Sequence, residues 1–266
     1  FSPSAFDKWV LEGGDMIDVL IDEARQIGQK AFVSIRVNDV HHIYRGGVFE
    51  DEQQRMRMMS EFEFFAQNTD KLLGEGVSGN MKYAMDFGNA AVRAHKLKII
   101  EEVCKNYDID GLELDFLRHA VLFNPKRVTP KERAKILTAF VKEVRGYLDA
   151  HAKNGKYRYL CVRVPGWLGT HEQIGIDLAA MAQAGVDMFN LSGYYFTDMK
   201  MDIAGARKLV GPDKGLYAEI HFALAVGNPA KGDAWYMRRT TPAQIYTVAH
   251  MVYARGADGV SFFNFP

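Results

Sequence analysis

The sequence predicts a single (β/α)8 barrel, on three observations. Amphipathic helices alternate with short apolar strands from end to end, the helix-to-strand turns repeat one chemistry, and one strand carries two carboxylates on the same face. At 266 residues, 48% apolar and 25% charged, the chain has the size and composition of one such barrel, expected as one domain over 1–266. The alternative is an open doubly wound sheet. That fold would carry a phosphate-cradling Gly-x-Gly-x-x-Gly near its first strand, and the sequence has none.

In chain order, helices are expected over about 14–28, 52–72, 89–106, 130–152, 172–184, 200–209 and 241–255. Strands are expected over about 31–37, 82–86, 110–116, 158–164, 187–193, 215–220 and 259–264. Thr129-Pro130 and Thr241-Pro242 read as a capping hydroxyl followed by proline at the first helical position. Ala184-Gly185-Val186-Asp187 and Arg255-Gly256-Ala257-Asp258 place a glycine just past a helix end and an acid just before a strand. Tyr107-Asp108-Ile109-Asp110-Gly111 looks alike in leading into a strand through an acid, without the helix-end glycine. The seven strands begin after a helix and the last ends at Pro266. The expectation is therefore an excerpt of a barrel lacking its first strand and last helix, or a missing strand hidden in Phe1–Val10.

The formal net charge is zero, with no basic run or acidic tail, so the electrostatic footprint of a nucleic-acid or anionic-membrane binder is missing. No apolar run reaches the roughly 18 residues of a membrane span. Cys104 and Cys161 fall in an expected helix and strand, which argues against a disulfide framework. No cofactor is implied, oligomeric state stays open, and a neutral partner is the simplest inference.

In a barrel the reactive face is the carboxyl end of the strands. Polar residues collect there: Arg36, Asn38, Asp39 and His41; Asp86; Glu113, Asp115 and Arg118; Arg163; Asn190, Ser192, Tyr194 and Tyr195; Glu219 and His221; Asn264. Taken singly they have bland readings. A strand-end aspartate such as Asp39 or Asp86 serves as a turn former or substrate contact, and Arg36 or Arg163 can neutralise Glu113. Together they suit glycoside cleavage, in which one carboxyl protonates the leaving oxygen and a second attacks or activates water. Asp115 and Glu219, ending the fourth and seventh strands of the barrel count, are expected to face one another with a sugar ring between them. Trp167, Tyr194 and Tyr195 would offer flat faces to sugar rings, and the Asn, His and Arg groups would bind hydroxyls.

Asp110-Gly111-Leu112-Glu113-Leu114-Asp115-Phe116-Leu117-Arg118 resembles the fourth-strand signature of the bacterial glycosyl-hydrolase-like barrels related to glycosyl-hydrolase-like family 10. Asp86-Phe87-Gly88-Asn89-Ala90-Ala91-Val92-Arg93 and Ser34-Ile35-Arg36-Val37-Asn38-Asp39-Val40-His41 are similar to further motifs of that group. The resemblance implies a carbohydrate-active barrel, often exported to the periplasm or beyond, with Asp115 at the catalytic position. The reading favours Asp115 as nucleophile or base and Glu219 as acid, with the reverse assignment left open. Two rivals remain: a metal-dependent barrel hydrolase using Asp39, His41, His119 and His221, and an inactive carbohydrate-binding barrel.

Overall fold

In a computed structural model that describes residues 4–40, 64, 67–194, 196–226 and 236–265, six parallel strands form one sheet. They are β1 (Phe32–Arg36), β2 (Gly111–Asp115), β3 (Tyr159–Pro165), β4 (Met188–Ser192), β5 (Gly215–His221) and β8 (Gly259–Phe263), paired in that order. A short antiparallel hairpin of β6 (Ala223–Val226) and β7 (Tyr236–Arg239) stands between β5 and β8 in the chain, and the sequence reading did not foresee it.

Alternation along the strands sorts the side chains as expected. Leu112, Leu114, Val162, Val164, Phe189, Leu191, Ala218 and Ile220 are fully buried on one face, in one core with Ile100, Leu137, Phe140, Val144 and Ala206 from the covering helices. Ser34, Glu113, Asp115, Arg163, Asn190, Ser192, Glu219 and Ser261 share the other face. That face is concave. Arg163 on β3 and Phe263 on β8 are three strand spacings apart, about 14 Å in a flat sheet, yet the guanidinium lies 4.3 Å from the ring centroid.

The expected caps are in place. Thr129 and Thr241 each complete a capping box at helices Pro130–Ala150 and Pro242–Ala254, and Asn89 caps Ala90–Asn106. The three junctions share one device. Asp110, Asp187 and Asp258 each accept a backbone N–H at the start of the neighbouring strand, from Ala31 (2.9 Å), Leu160 (2.8 Å) and Leu216 (2.8 Å). Each also pairs with a cation: Lys156, Arg145 and Arg207 respectively. Gly185 and Gly256 precede two of them with φ of 104° and 99°, where a side chain would be strained.

The structure corrects several expectations. Residues 82–86 are not a strand. β1 and β2 pair directly along their whole length, Phe32 with Gly111 through Arg36 with Asp115, which leaves no place between them. The segment instead folds through a 3-10 turn, Gly79–Tyr83, and returns antiparallel to Leu72, with Leu73 N–H donating to Ala84 O at 2.8 Å. Leu73, Ala84 and Val40 form a small separate cluster there. The strand sought in Phe1–Val10 is a helix, Ala5–Leu11, capped by Ser4 and Asp7. The expected helix 172–184 is two, His171–Ile174 and Leu178–Gln183, broken at Gly175 (φ 94°) and restarted by Asp177. The helix expected over 52–72 lies largely outside the described residues, and among the described residues six strands form the parallel sheet where seven were expected.

If the junction acids hold the strand starts in register, Asp187→Ala leaves the buried Leu160 N–H without its acceptor and Arg145 with Asp149 alone as its carboxylate partner. Equilibrium urea unfolding should then show a loss of about 1–3 kcal/mol with an unchanged slope.

Candidate active site

The concave face carries two polar layers. In the deeper one, Glu113 accepts hydrogen bonds from Ser34 Oγ (2.8 Å), Asn190 Nδ2 (3.3 Å) and Cys161 Sγ (3.5 Å), and Ser261 Oγ donates to Asn190 Oδ1 at 2.7 Å. This chain runs across the sheet from β1 to β8. Burial, and then Glu113, push the Cys161 thiol well above its ordinary pKa, so it serves as a donor here. Glu113 is thus satisfied by neutral donors. The expected pairing with Arg36 or Arg163 is absent: Arg36 pairs with Asp39 at 3.0 Å, and Arg163 reaches the layer above.

In that upper layer Arg163, 2% exposed, joins both expected catalytic carboxyls. Its Nη1 donates to Asp115 Oδ2 at 3.0 Å; its Nε and Nη2 donate to Glu219 Oε2 and Oε1 at 2.6 and 2.8 Å. Asp115 Oδ1 accepts the backbone N–H groups of Leu117 (2.9 Å) and Arg118 (3.1 Å), a turn made by the residues that leave the strand. Ser192 donates to Glu219 Oε1 at 2.5 Å. One guanidinium and two hydrogen bonds bound the separation of the two carboxyls at on the order of 8 Å, which spans the geometries used by glycosidases. The group between them is Arg163, not open space for a sugar ring, and this corrects the sequence expectation.

The electrostatics follow from burial. Asp115 and Glu219 are 4% and 2% exposed. Desolvation drives the Glu219 carboxyl above its ordinary range, and the hydrogen bonds and charge of Arg163 and the Ser192 hydroxyl offset only part of this. Burial works against the Arg163 charge, but Glu219, Asp115 and Glu113 outweigh it and hold the guanidinium firmly protonated. Tyr194 closes over the pair in a left-handed conformation (φ 72°), a strain of about 1–3 kcal/mol for such a residue. Three bonds hold it: its N–H to Ser192 Oγ (3.1 Å), its hydroxyl to Arg118 O (3.1 Å), and its carbonyl to Arg163 Nη2 (3.4 Å).

The other expected site residues divide. Trp167, more than half exposed, stands at the strand ends with its Nε1 donating to Asp198 at 2.7 Å. Asn264 follows β8 in the left-handed region (φ 56°), which asparagine tolerates. Asn38 is buried and donates to Met85 O and Val121 O at 3.2 Å, a tie between loops. Asp86 accepts Gly88 N–H and pairs with Arg127 at 3.1 Å, which fixes its own turn. Arg118 enters through its backbone. His41 and Tyr195 lie outside the described residues. Among the described residues, no group of three His, Cys, Asp or Glu side chains is placed to hold a metal ion, and no helix is long and apolar enough to cross a membrane. Phe263, over which Arg163 stacks, and Asp198 escaped the sequence reading; only their places, on and after strand ends, could have signalled them.

His221 is 1% exposed at the end of β5, between Phe222 and Phe263. Its Nδ1 accepts Ala223 N–H at 3.3 Å, so it braces the hairpin. Burial, with Arg163 nearby, lowers its pKa to about 4. The folded state therefore binds this proton less readily than the unfolded chain. The stability contributed by neutral His221 should be fully present above the unfolded value, about 6.5, and lost as pH falls toward 4, by about 3 kcal/mol in all. Unfolding free energies of native protein and His221→Gln between pH 7 and 4 should show this slope in the native protein and a shallower one in the variant.

No known family's sequence pattern matches the chain, and no curated protein matches it. Among solved structures it is similar to a class V chitinase from Pseudomonas fluorescens Pf-5, with a TM-score of 0.56, 15% identity, and coverage of 92% of this chain and 79% of that one. It is also similar to a chitinase from Rhizomucor miehei (TM-score 0.51, 12% identity, 94% and 81% coverage). A third is a β-L-arabinopyranosidase from Geobacillus stearothermophilus (TM-score 0.51, 12% identity, 98% and 55% coverage). Likeness at such identities is a likeness of fold: this chain has an α/β fold with a curled sheet of six parallel strands, and these structural neighbours are glycoside hydrolases.

Proposed function

We propose that this chain is a glycosidase that cleaves a glycosidic bond in an oligo- or polysaccharide with Asp115 and Glu219 as its carboxyl pair. We further propose that it is one of the bacterial glycosyl-hydrolase-like barrels related to glycosyl-hydrolase-like family 10. An exported location, periplasmic or extracellular, goes with this reading. The observation that carries it is the buried Asp115–Arg163–Glu219 cluster at the carboxyl ends of three strands of the concave face. Two carboxyls held within one guanidinium's reach at the end of a curled parallel sheet are costly to bury, and reaction chemistry is a reason to keep them there.

In the mechanism, the backbone N–H groups of Leu117 and Arg118 fix Asp115 Oδ1 and Arg163 fixes Oδ2. This holds the Asp115 carboxyl in one orientation toward an anomeric carbon, to attack it directly or to activate a water that does. Glu219, raised by burial, protonates the departing glycosidic oxygen as its bond to that carbon breaks. Proton delivery requires Arg163 to yield part of its two-pronged contact, moving toward Asp115 and the Tyr194 carbonyl, both of which it already touches. A second reading, an inactive carbohydrate-binding barrel, draws on one observation: both oxygens of Glu219 are engaged inside the protein.

Hydrolysis of a panel of glycans, read by reducing-end release, separates the two readings. Asp115→Asn and Glu219→Gln should each lower turnover at least about a hundredfold while sugar binding persists. Unchanged turnover in both variants removes the pair, and binding without turnover by the native protein favours the second reading. With Glu219 as acid, activity is lost as pH rises through its raised pKa. The alkaline limb of the native rate profile should therefore lie above the ordinary carboxylate range and vanish in Glu219→Gln.

A further inference from the structure

A cavity of about 290 Å³ opens beside the carboxyl cluster, at the ends of β2, β3 and β4. Leu117 and Ala120 wall it from the loop after β2, Pro165 from the end of β3 and Trp167 from the loop after it, and Gly193 and Tyr194 from the loop after β4. Ser192, at its inner end, is the hydroxyl bonded to Glu219, so the cavity and the cluster share a wall. The packing around it is tight. A Cβ on Gly193 would lie 2.5 Å from Phe196 O, and one on Gly166 would lie 2.4 Å from the Met201 side chain.

The chemistry of that wall decides what can enter. Four of its side chains carry hydrogen-bond donors, and all four are spent inside the protein. Ser192 donates to Glu219, Thr170 to Trp167 O (2.8 Å), Tyr194 to Arg118 O (3.1 Å), and Trp167 to Asp198 (2.7 Å). Asp198 also accepts Lys200 N–H at 2.8 Å. A sugar ring placed here would shed water from its hydroxyls and find every side-chain donor already bonded, with the Asp198 carboxylate, which already accepts from Trp167 and Lys200, as the one charged acceptor for its own O–H groups. An apolar group loses nothing of the kind. Trp167, held edge-on by Asp198, and Tyr194, locked by its three bonds, present aromatic surface instead.

We propose that this cavity is a subsite for a flat apolar group, an aryl aglycone next to the scissile bond, rather than for a hydroxylated sugar ring. The inference rests on the glycosidase reading for the word aglycone, but the binding of the aryl group does not. The volume suits one ring system, since a cavity of about 150 Å³ already accommodates benzene. Asp198 acts as a positioning residue through Trp167.

The test uses 4-nitrobenzyl alcohol, an uncharged aryl probe, titrated into the full chain and followed by isothermal titration calorimetry, a readout that does not depend on Trp167. Saturable single-site binding is expected. It should weaken at least about tenfold in Ala120→Phe, which fills the cavity, and in Trp167→Ala, which removes an exposed wall and leaves the core intact. Lys142→Ala, on the helix Pro130–Ala150 and outside the cavity lining, should bind within about twofold of native. No saturable binding to the native protein, or binding within twofold of native in both cavity variants, overturns the proposal. So does displacement of the probe by methyl glucoside at equal concentration, which would mark a sugar-ring site. If the probe binds as expected but no glycoside is hydrolysed, the glycosidase reading fails and the aryl site stands.

Discussion

The buried guanidinium of Arg163 is the constraint on which the upper half of this molecule depends. Two carboxyl groups on a dry concave face repel each other and lose hydration, and each costs several kcal/mol if left alone. Arg163 answers both at once, with one nitrogen toward Asp115 and an edge of two toward Glu219. Its planar fork matches a carboxylate as a lysine ammonium could not. The rest of its surroundings follow: Phe263 beneath the guanidinium plane, Ser192 bridging to Glu219, and Tyr194 strained into place with its carbonyl on the same nitrogen.

The frame that makes this possible is set at the opposite end of the sheet. Asp110, Asp187 and Asp258 stitch each strand's start to its neighbour, which fixes register. In a parallel sheet a slip of one residue would turn Asp115, Arg163 and Glu219 outward into the helical layer. Curvature does the rest, because it brings β3 side chains within reach of β5 and β8. The deeper chain of Ser34, Glu113, Asn190 and Ser261 then supports the reactive layer with neutral donors, so that Arg163 is left for the two carboxyls above.

Much of this was legible in the sequence, and the legible part is local. Threonine–proline caps, helix-end glycines and alternating strand faces are signalled by neighbours a few residues apart, and they appear where expected. Asp115 and Glu113 fell on the inner face for the same reason. The failures are non-local. Residues 82–86 have strand-like alternation, but whether they join the sheet depends on β1 and β2 finding each other across some 80 intervening positions. That Arg163 would serve Asp115 and Glu219, and not Glu113, depends on stagger between strands, which no single segment encodes. Asn38, Asp86 and His221 are polar residues at strand ends that hold loops together, and their sequence signal is indistinguishable from that of a binding group.

The central claim is that Arg163 neutralises two buried carboxylates together, and the unfolding free energy of Arg163→Met as a function of pH tests it most directly. Removing the guanidinium leaves both charges without their shared partner, so the variant should lose about 3–5 kcal/mol near neutral pH. The deficit should shrink as the pH falls and Glu219, whose carboxyl is raised by burial, takes up its proton. A loss below about 1 kcal/mol, or one of the same size at every pH, would show that the two carboxyls do not depend on Arg163 and would contradict the account.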